Sequence, residues 1–232
     1  LQIDKKFFKR LTISGGVRYE QFKVDDLEAG QPVYRAGATM QIHKATYLRA
    51  SYGQGFRFPT IGERFIFTSV GNLRVYSNPE LKAENSYNLE GGVKQGFKIG
   101  KFTGYVDAVV FQQDYENYVE FTFGQWAAPA GLSNYFGLGF KSVNTGGARV
   151  TGYEFELAGK GNFGPVEIST LLGYTHTTPV STTPDQVYAV SPIAGSLSPP
   201  STYTETSHDP SNNILKFRIQ NLFRGDLQAQ YK

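Results

Sequence analysis

The chain has 232 residues, a formal net charge of +3 at pH 7, and 40% hydrophobic residues, of which many are tyrosine or phenylalanine. The low charge and the lack of a lysine or arginine run argue against nucleic-acid binding, and the lack of cysteine excludes disulfides and thiolate metal sites. No stretch approaches the roughly 20 consecutive apolar residues of a membrane-spanning helix.

Apolar and polar residues alternate with a period of two along much of the chain. Between Thr46 and Phe58, for example, Leu48 and Tyr52 lie on one face and Arg49 on the other. This pattern predicts strands that each have one apolar and one polar face. In chain order, the eight predicted strands are residues 11–20, 34–42, 46–58, 87–99, 105–121, 149–159, 166–176 and 217–231.

The connections between these strands are of two kinds. Short turns are predicted at residues 43–45, 100–101 and 162–164, and longer connections at 25–32, 59–85, 124–140 and 177–213. Because the two kinds alternate, all the long connections lie at one end, as in outer-membrane barrels. The sequence therefore predicts an all-β, antiparallel, up-and-down transmembrane β-barrel segment, with its apolar face toward lipid. The residues predicted to face the lumen include Arg49, Arg57, Glu154, Glu156, Arg218, Arg224 and Asp226.

The segment from residue 48 to residue 92 carries a more specific pattern. A Gly-Phe-Arg-x-Pro stretch ends a strand, a glutamate follows, and an Asn-Pro-x-Leu-x-x-Glu stretch leads into a strand that contains Glu-Gly-Gly. In this order and spacing, the segment resembles the barrel of TonB-dependent receptors. The motif residues are Gly55, Phe56, Arg57, Pro59, Glu63, Asn78, Pro79, Leu81, Glu84, Glu90 and Gly91.

The motif also has a physical interpretation of its own. Pro59 cannot donate a hydrogen bond to a strand ladder, so we expect it to end the strand. Asn78 and Pro79 favour a turn, and Arg57 and Glu90 fall on the polar face. We therefore predict that the motif fixes the geometry of the strand–loop junction, with direct ligand contact as the alternative.

The resemblance implies an outer-membrane receptor with a barrel of ~22 strands and a lumen blocked by a plug domain. It further implies energy supplied through TonB and a ligand bound at the outer face. The motif fits the siderophore and cobalamin branch, so the expected ligand is a ferric siderophore or similar iron complex. Residues 1–232 are then expected to be part of a barrel, without the plug domain or the terminal strands. The start, residues 1–5, does not look like a signal peptide, which suggests processing or truncation.

Two alternatives remain open from the sequence. One is a complete eight-stranded outer-membrane barrel with a structural or adhesive role, which requires residues 11–20 to pair with 217–231. The other is a soluble β-sandwich binding module, in which the apolar faces would form a closed core.

Catalytic, cofactor and metal sites are not predicted. His43, His176 and His208 have no partner at metal-ligand spacing. The pair Asp25 and Asp26 is expected in an exposed loop, and Glu154 and Glu156 on a hydrated lumen wall. Since no acid, base or nucleophile is part of a recognisable constellation, an enzyme is not expected.

Ligand binding is instead expected on the external loops. Basic and aromatic residues together suit an anionic iron chelate, because cations attract its charge and rings pack on its organic part. The alternative is that they are interfacial aromatics and solvated charges. The candidates are Arg64, Phe67, Arg74, Tyr76, Trp126 and Tyr135.

Overall fold

The computed structural model describes residues 1–24, 27–127, 137–190, 202, 213–215 and 218–231. Within these ranges the chain forms thirteen strands and one short helix. They are β1 (Gln2–Phe7), β2 (Leu11–Val24), β3 (Leu27–His43), β4 (Thr46–Arg57), α1 (Ile61–Phe65), β5 (Thr68–Val70), β6 (Leu73–Tyr76), β7 (Glu84–Ile99), β8 (Phe102–Glu116), β9 (Val119–Gln125), β10 (Leu138–Asn144), β11 (Ala148–Phe163), β12 (Val166–Ser181) and β13 (Asn221–Tyr231).

Nine of the strands form the main sheet, in the order β1-β2-β3-β4-β7-β8-β11-β12-β13, and every neighbouring pair is antiparallel. All eight predicted strands are present, so the all-β, up-and-down prediction is confirmed. For the main sheet the predicted count was one short, because Gln2–Phe7 contains Asp4, Lys5 and Lys6 and therefore lacks apolar alternation. Apart from β1, the strands of the main sheet have 11–17 residues, enough to cross a bilayer.

Several predicted boundaries were wrong at the end of the sheet where the long connections lie, which we call the rim. Residues 25–32 were predicted to be a long loop, but β2 and β3 stay paired up to Val24 and Leu27. The two strands are close at Gly30, where a Cβ atom would lie 2.8 Å from the carbonyl oxygen of Glu20. Near this end the apolar Phe22 lies on the polar side of β2 and packs on Phe56 and Phe58, so the alternation stops before the strand does.

Other differences come from structure inside the predicted loops and strands. The strand predicted at 105–121 breaks at Asn117, which has a φ of 55°, and the chain resumes as β9. The connections predicted at 59–85 and 124–140 contain α1, β5 and β6, the end of β9 and the start of β10. The turn predicted at 162–164 lies between Phe163 and Val166, with Gly164 at a φ of 65°.

The two sides of the main sheet differ in chemistry. On the apolar side, one row of directly opposed residues crosses eight strands: Leu11, Met40, Leu48, Val93, Ala108, Phe155, Tyr174 and Phe223. Leu48 is 43% exposed, Leu89 60% and Phe223 69%, so these side chains do not form a closed protein core. The soluble β-sandwich is therefore wrong.

The ends of the sheet also exclude the small closed barrel. Strand β2 pairs with β1 and β3, and β13 pairs with β12. Within the described ranges, residues 11–20 thus do not pair with β13, as closure of an eight-stranded barrel would require. Among the described residues no helix is long and apolar enough to cross a membrane, a finding that concerns helices only.

Beyond the rim, four strands form a second sheet in the order β5-β6-β10-β9, which we call the loop sheet. Its pairs are antiparallel except for β6 and β10, which run parallel over residues 74–76 and 139–141. The loop sheet connects the long segment after β4 with the long segment after β8.

Candidate functional site

Arg57, the last residue of β4, joins two carboxylates at the rim. Its Nη1 lies 3.0 and 2.9 Å from the two carboxylate oxygens of Glu63, and its Nη2 lies 2.9 Å from Oε2 of Glu84. Glu84 is the first residue of β7, and Glu63 belongs to α1. One guanidinium therefore holds together the ends of two neighbouring strands and the helix between them.

The helix α1 is itself capped by the same glutamate. The hydroxyl of Thr60 accepts the backbone N–H of Glu63 at 3.2 Å, and the Glu63 carboxylate accepts the backbone N–H of Thr60 at 2.8 Å. Such a reciprocal capping box satisfies two N–H groups that a helix start leaves free. Burial alone would raise the pKa of the Glu63 carboxyl, but the Thr60 N–H and the Arg57 guanidinium outweigh it, so this pKa lies below its ordinary value.

The second half of the motif contacts the segment that follows β8. Oε2 of Glu84 also accepts the N–H of Val119, the first residue of β9, at 3.0 Å. The side-chain amide of Asn78 donates to the carbonyl of Ser142 in β10 at 2.8 Å. Leu81 is 2% exposed. The motif residues from Arg57 to Glu84 thus lie at the junction between the main sheet and the loop sheet, whereas Glu90 and Gly91 lie farther along β7.

A group of tyrosines lies beside this junction on the polar side of the sheet. Tyr115, near the end of β8, and Tyr118 meet edge to face with ring centroids 5.5 Å apart. Arg218 donates to the hydroxyl of Tyr118 and lies 3.3 Å from the carboxylate of Glu120. We call Arg57, Glu63, Glu84, Tyr115, Tyr118, Glu120 and Arg218 the mouth cluster.

Below the rim the polar side carries a chain of charges. Arg49 contacts Glu90 and Asp107, Lys94 lies 3.3 Å from Asp107, and Lys94 also lies 4.0 Å from the ring centroid of Tyr105. The Tyr105 hydroxyl donates to Glu156 at 2.7 Å. In a barrel of antiparallel strands the polar side lines the lumen, so the mouth cluster lies where the lumen opens outward.

The loop sheet has one buried and one exposed face. On the exposed face, Phe140 stacks with Phe121 at 5.2 Å and meets Phe123 edge to face at 5.3 Å. Phe121 and Phe123 are 58% and 52% exposed. On the other face, Tyr76 and Val143 are buried. An aromatic surface therefore lies open beyond the rim.

The predicted loop candidates occupy different environments. Arg64 is buried, donates to the carbonyl of Pro79, and lies over the rings of Phe58 and Phe65. Phe67 is exposed and contacts Arg74 and the buried Tyr76. Trp126 donates to the carbonyl of Gly139 at 3.1 Å and has Lys141 over its ring.

Some of the residues predicted for this site are not described, the roles of the others are untested, and some residues of the site were not predicted. Tyr135 and His208 lie outside the described residues. The roles of the motif residues and loop candidates stay predictions. Tyr115, Tyr118, Glu120 and Phe121 were missed because residues 105–121 were assigned to one strand. The signal available in the sequence was the residue type of Asn117, because asparagine tolerates the positive φ that the structure has there. Within the described ranges, no three His, Cys, Asp or Glu side chains are grouped to hold a metal ion.

Comparison with known proteins gives curated relatives over part of the chain. The hemoglobin-haptoglobin utilization protein B of Neisseria meningitidis serogroup C is 31% identical over 90 residues, which are 39% of this chain and 11% of that protein. A hemoglobin and hemoglobin-haptoglobin-binding protein of Haemophilus ducreyi is 30% identical over 110 residues, 46% of this chain and 11% of that protein. The chain therefore matches only a small part of these relatives.

Solved structures agree in fold. The hemophore receptor HasR of Serratia marcescens, in complex with its hemophore HasA and heme, has a TM-score of 0.61 at 16% identity over 78% of this chain and 33% of that chain. The siderophore receptor PirA of Pseudomonas aeruginosa has a TM-score of 0.57 at 15% identity over 81% of this chain and 37% of that chain. The chain thus spans about a third of these structures.

The family model for "TonB dependent receptor-like, beta-barrel" matches residues 1–231. This match covers nearly the whole chain and agrees with the antiparallel sheet and its two chemically distinct sides. Proteins of this family are receptors of the bacterial outer membrane and are not enzymes. The chain therefore belongs to the TonB-dependent receptor β-barrel family.

Proposed function

We propose that this chain forms part of the barrel of an outer-membrane receptor that takes up an iron complex. The observation that carries the proposal is the mouth cluster, in which charged and phenolic side chains meet at the outer end of the lumen-facing side. A ligand that enters the barrel from outside must pass this position. The full receptor would also contain a plug domain and would use TonB as its energy partner.

Two classes of iron complex fit this position. A ferric siderophore is supported by the motif of residues 55–63 and 78–91 and by the fold shared with a siderophore receptor. Heme is supported by the two partial relatives, whose names refer to hemoglobin. In both cases the loop aromatics would pack on the organic part of the ligand, and the rim cations would attract its anionic groups.

Growth on single iron sources tests the proposal. A strain that lacks the gene for the intact receptor is grown with hemin, a ferric siderophore or ferric citrate as the iron source, with and without a plasmid copy. We expect the plasmid to restore growth on at least one source only while TonB is present. Equal growth of the deletion and complemented strains on all sources would contradict the proposal.

A cobalamin arm checks the iron assignment. Cells that require external cobalamin are complemented in the same way and grown at limiting cobalamin. If growth is restored only in the cobalamin experiment, the ligand is a corrinoid and not an iron complex.

A further inference from the structure

The end of the main sheet opposite the rim, where the short turns lie, is strongly basic. Its strand ends and turns comprise residues 1–14, 39–48, 95–105 and 158–168. They contain eight cations and only two carboxylates, although the whole chain has a net charge of +3. The cations are Lys5, Lys6, Lys9, Arg10, Lys44, Lys98, Lys101 and Lys160. In a barrel whose long loops face outward, this basic end faces the periplasm.

These cations are exposed, and they differ in the side of the sheet on which they lie. Within the described ranges none of the eight forms an ion pair with a carboxylate. By register, Lys6, Lys98 and Lys160 lie on the lumen-facing side, whereas Lys5 lies opposite Ile13 on the apolar side. The cations in turns are Lys9, Arg10, Lys44 and Lys101. Five of the eight can therefore reach the surface of the bilayer.

The length of the strands places these turns at the level of the lipid head groups. On the apolar side of β2, the nine residues from Leu11 to Tyr19 are about what a tilted barrel strand needs to cross the hydrocarbon. Tyr19, at the outer end, is 64% exposed. At the basic end, Phe97 and Phe102 stack on the apolar side with ring centroids 6.1 Å apart, as in the aromatic girdle of a barrel interface. The turns beyond these residues thus lie just outside the hydrocarbon.

The turn between β1 and β2 holds a phenylalanine in an unusual conformation. Phe8 and Lys9 have φ values of 49° and 59°, and the N–H of Arg10 donates to the carbonyl of Phe7 at 3.1 Å. Asparagine and glycine adopt positive φ readily, whereas a bulky side chain there is strained. Phe8 is nevertheless present and is 92% exposed. Strain of this kind is typical of positions that are kept for a contact.

Cations surround this phenylalanine in space as well as in sequence. Nζ of Lys5 lies 5.1 Å from the ring centroid of Phe7. The carbonyl of Arg10 accepts the N–H of Gln41 at 2.8 Å, and the side-chain amide of Gln41 donates to the carbonyl of Lys44 at 3.1 Å. The first two short turns are therefore neighbours. We call Lys5, Phe7, Phe8, Lys9, Arg10 and Lys44 the turn patch.

We propose that the turn patch binds an anionic phospholipid in the periplasmic leaflet of the outer membrane, with the lipid phosphate among the cations and the ring of Phe8 against the lipid. Lysine and arginine at a membrane surface attract anionic head groups, and aromatic rings favour the interface. A free phosphate would satisfy the cations but would leave the ring of Phe8 in water. The combination of charge and ring on the lipid side therefore selects a phospholipid.

Lipid retention by the intact receptor tests the proposal. The receptor is purified in detergent, mixed with equal amounts of phosphatidylglycerol and phosphatidylethanolamine, purified again and analysed by native mass spectrometry. We expect the wild type to retain phosphatidylglycerol in preference. One cation beside an anionic head group changes binding by about fivefold, so Lys9→Gln combined with Arg10→Gln should weaken phosphatidylglycerol binding by roughly twenty-fivefold. Binding of phosphatidylethanolamine should change little.

Phe8→Asn separates the role of the ring from the fold of the turn. Asparagine tolerates the positive φ at this position, so the variant should fold at least as well as the wild type. We expect it to bind phosphatidylglycerol about tenfold more weakly, because the apolar ring is absent. Excess inorganic phosphate should not displace the lipid from the wild type.

Lys23→Gln combined with Lys82→Gln is the matched control, because it removes two exposed cations at the rim. It should bind both lipids as the wild type does, and heat-modifiable gel mobility checks that every variant is folded. Equal retention of phosphatidylglycerol by the wild type and the folded Lys9→Gln, Arg10→Gln variant would overturn the proposal. Equal loss in the control, or displacement by inorganic phosphate, would overturn it too. None of these outcomes depends on the imported ligand, so the proposed function is tested separately.

Discussion

Arg49 reaches Asp107 although a complete strand lies between them. Its Nη1 is 2.7 Å from each carboxylate oxygen of Asp107, yet Arg49 is on β4 and Asp107 on β8, with β7 between. The residue opposite Arg49 on β7 is Gly92, where a Cβ atom would lie 3.3 Å from the guanidinium carbon. The missing side chain of glycine therefore leaves room for an ion pair that joins β4 and β8 over the lumen-facing side of β7.

A side chain at position 92 should break this ion pair. We expect Gly92→Leu and Arg49→Met each to lower the free energy of unfolding of the intact receptor by about 2 kcal/mol. Lys94 remains beside Asp107, which limits the loss of unfolding free energy. The double variant should lose less than the sum of the two single variants, since both remove the same contact, although a Cβ atom at position 92 would also lie 3.1 Å from the carbonyl oxygen of Ala108. Urea unfolding measures the three values. Lys98 lies on the same strand and the same side as Gly92, so Lys98→Met is the control. Simple additivity would contradict this account.

Loss of Arg57 should loosen the loops without unfolding the barrel. Arg57→Met removes the link between Glu63 and Glu84, so we expect α1 and the first residues of β9 to open more often. Because the Arg57 side chain is 42% exposed, we expect a local cost of about 1 kcal/mol, or roughly fivefold faster amide hydrogen exchange. Mass spectrometry of peptides from residues 60–66 and 117–124 measures it. Lys82→Met, an exposed rim cation, should leave exchange in both peptides unchanged.

The Arg57–Glu63 contact should also depend on pH. The pKa of Glu63 is lowered from 4.5 in the folded chain, so its stabilising contribution is complete above 4.5 and is lost as the pH falls through the folded value. We expect Glu63→Gln to lower the thermal midpoint by a constant amount from about pH 5 to 8, and the difference to vanish at lower pH. Glu80→Gln, an exposed carboxyl of the same segment, is the control. A difference that does not shrink as the pH falls below 4.5 would show that the side-chain shape, and not the charge, is responsible.

The strands of the main sheet could be predicted because their surroundings repeat at every second residue. Leu48 meets hydrocarbon and Arg49 meets the lumen, so the sequence must alternate wherever a strand crosses the membrane. At the outer end of the strands this constraint no longer applies, so the alternation of apolar and polar residues stops. The predicted loop at 25–32 was wrong for that reason, since Gly30 and Gln31 belong to a strand that continues beyond the alternating part of the sequence.

The loop sheet and the mouth cluster depend on contacts that local sequence does not encode. Residues 74–76 pair with 139–141 across more than sixty positions, and Tyr118 meets Arg218 at a separation of 100. Parallel pairing after so long a connection leaves no periodic signal. Glu63 and Glu84 could be singled out as a pattern, but their shared partner, Arg57, emerges only from the folded chain.

The assignment of lipid and lumen to the two sides can be tested on one strand. Val110 lies on the apolar side of β8 and is 64% exposed, whereas Gln113 lies on the polar side. An arginine on the lipid side must leave water, which costs about 2–4 kcal/mol near the bilayer midplane, while an arginine in the lumen stays hydrated. We therefore expect Val110→Arg to reduce the folded, heat-modifiable receptor in outer membranes and to lower its urea midpoint, and Gln113→Arg to change neither. Equal behaviour of the two variants would mean that both sides of the sheet face water, which is incompatible with a membrane-spanning barrel.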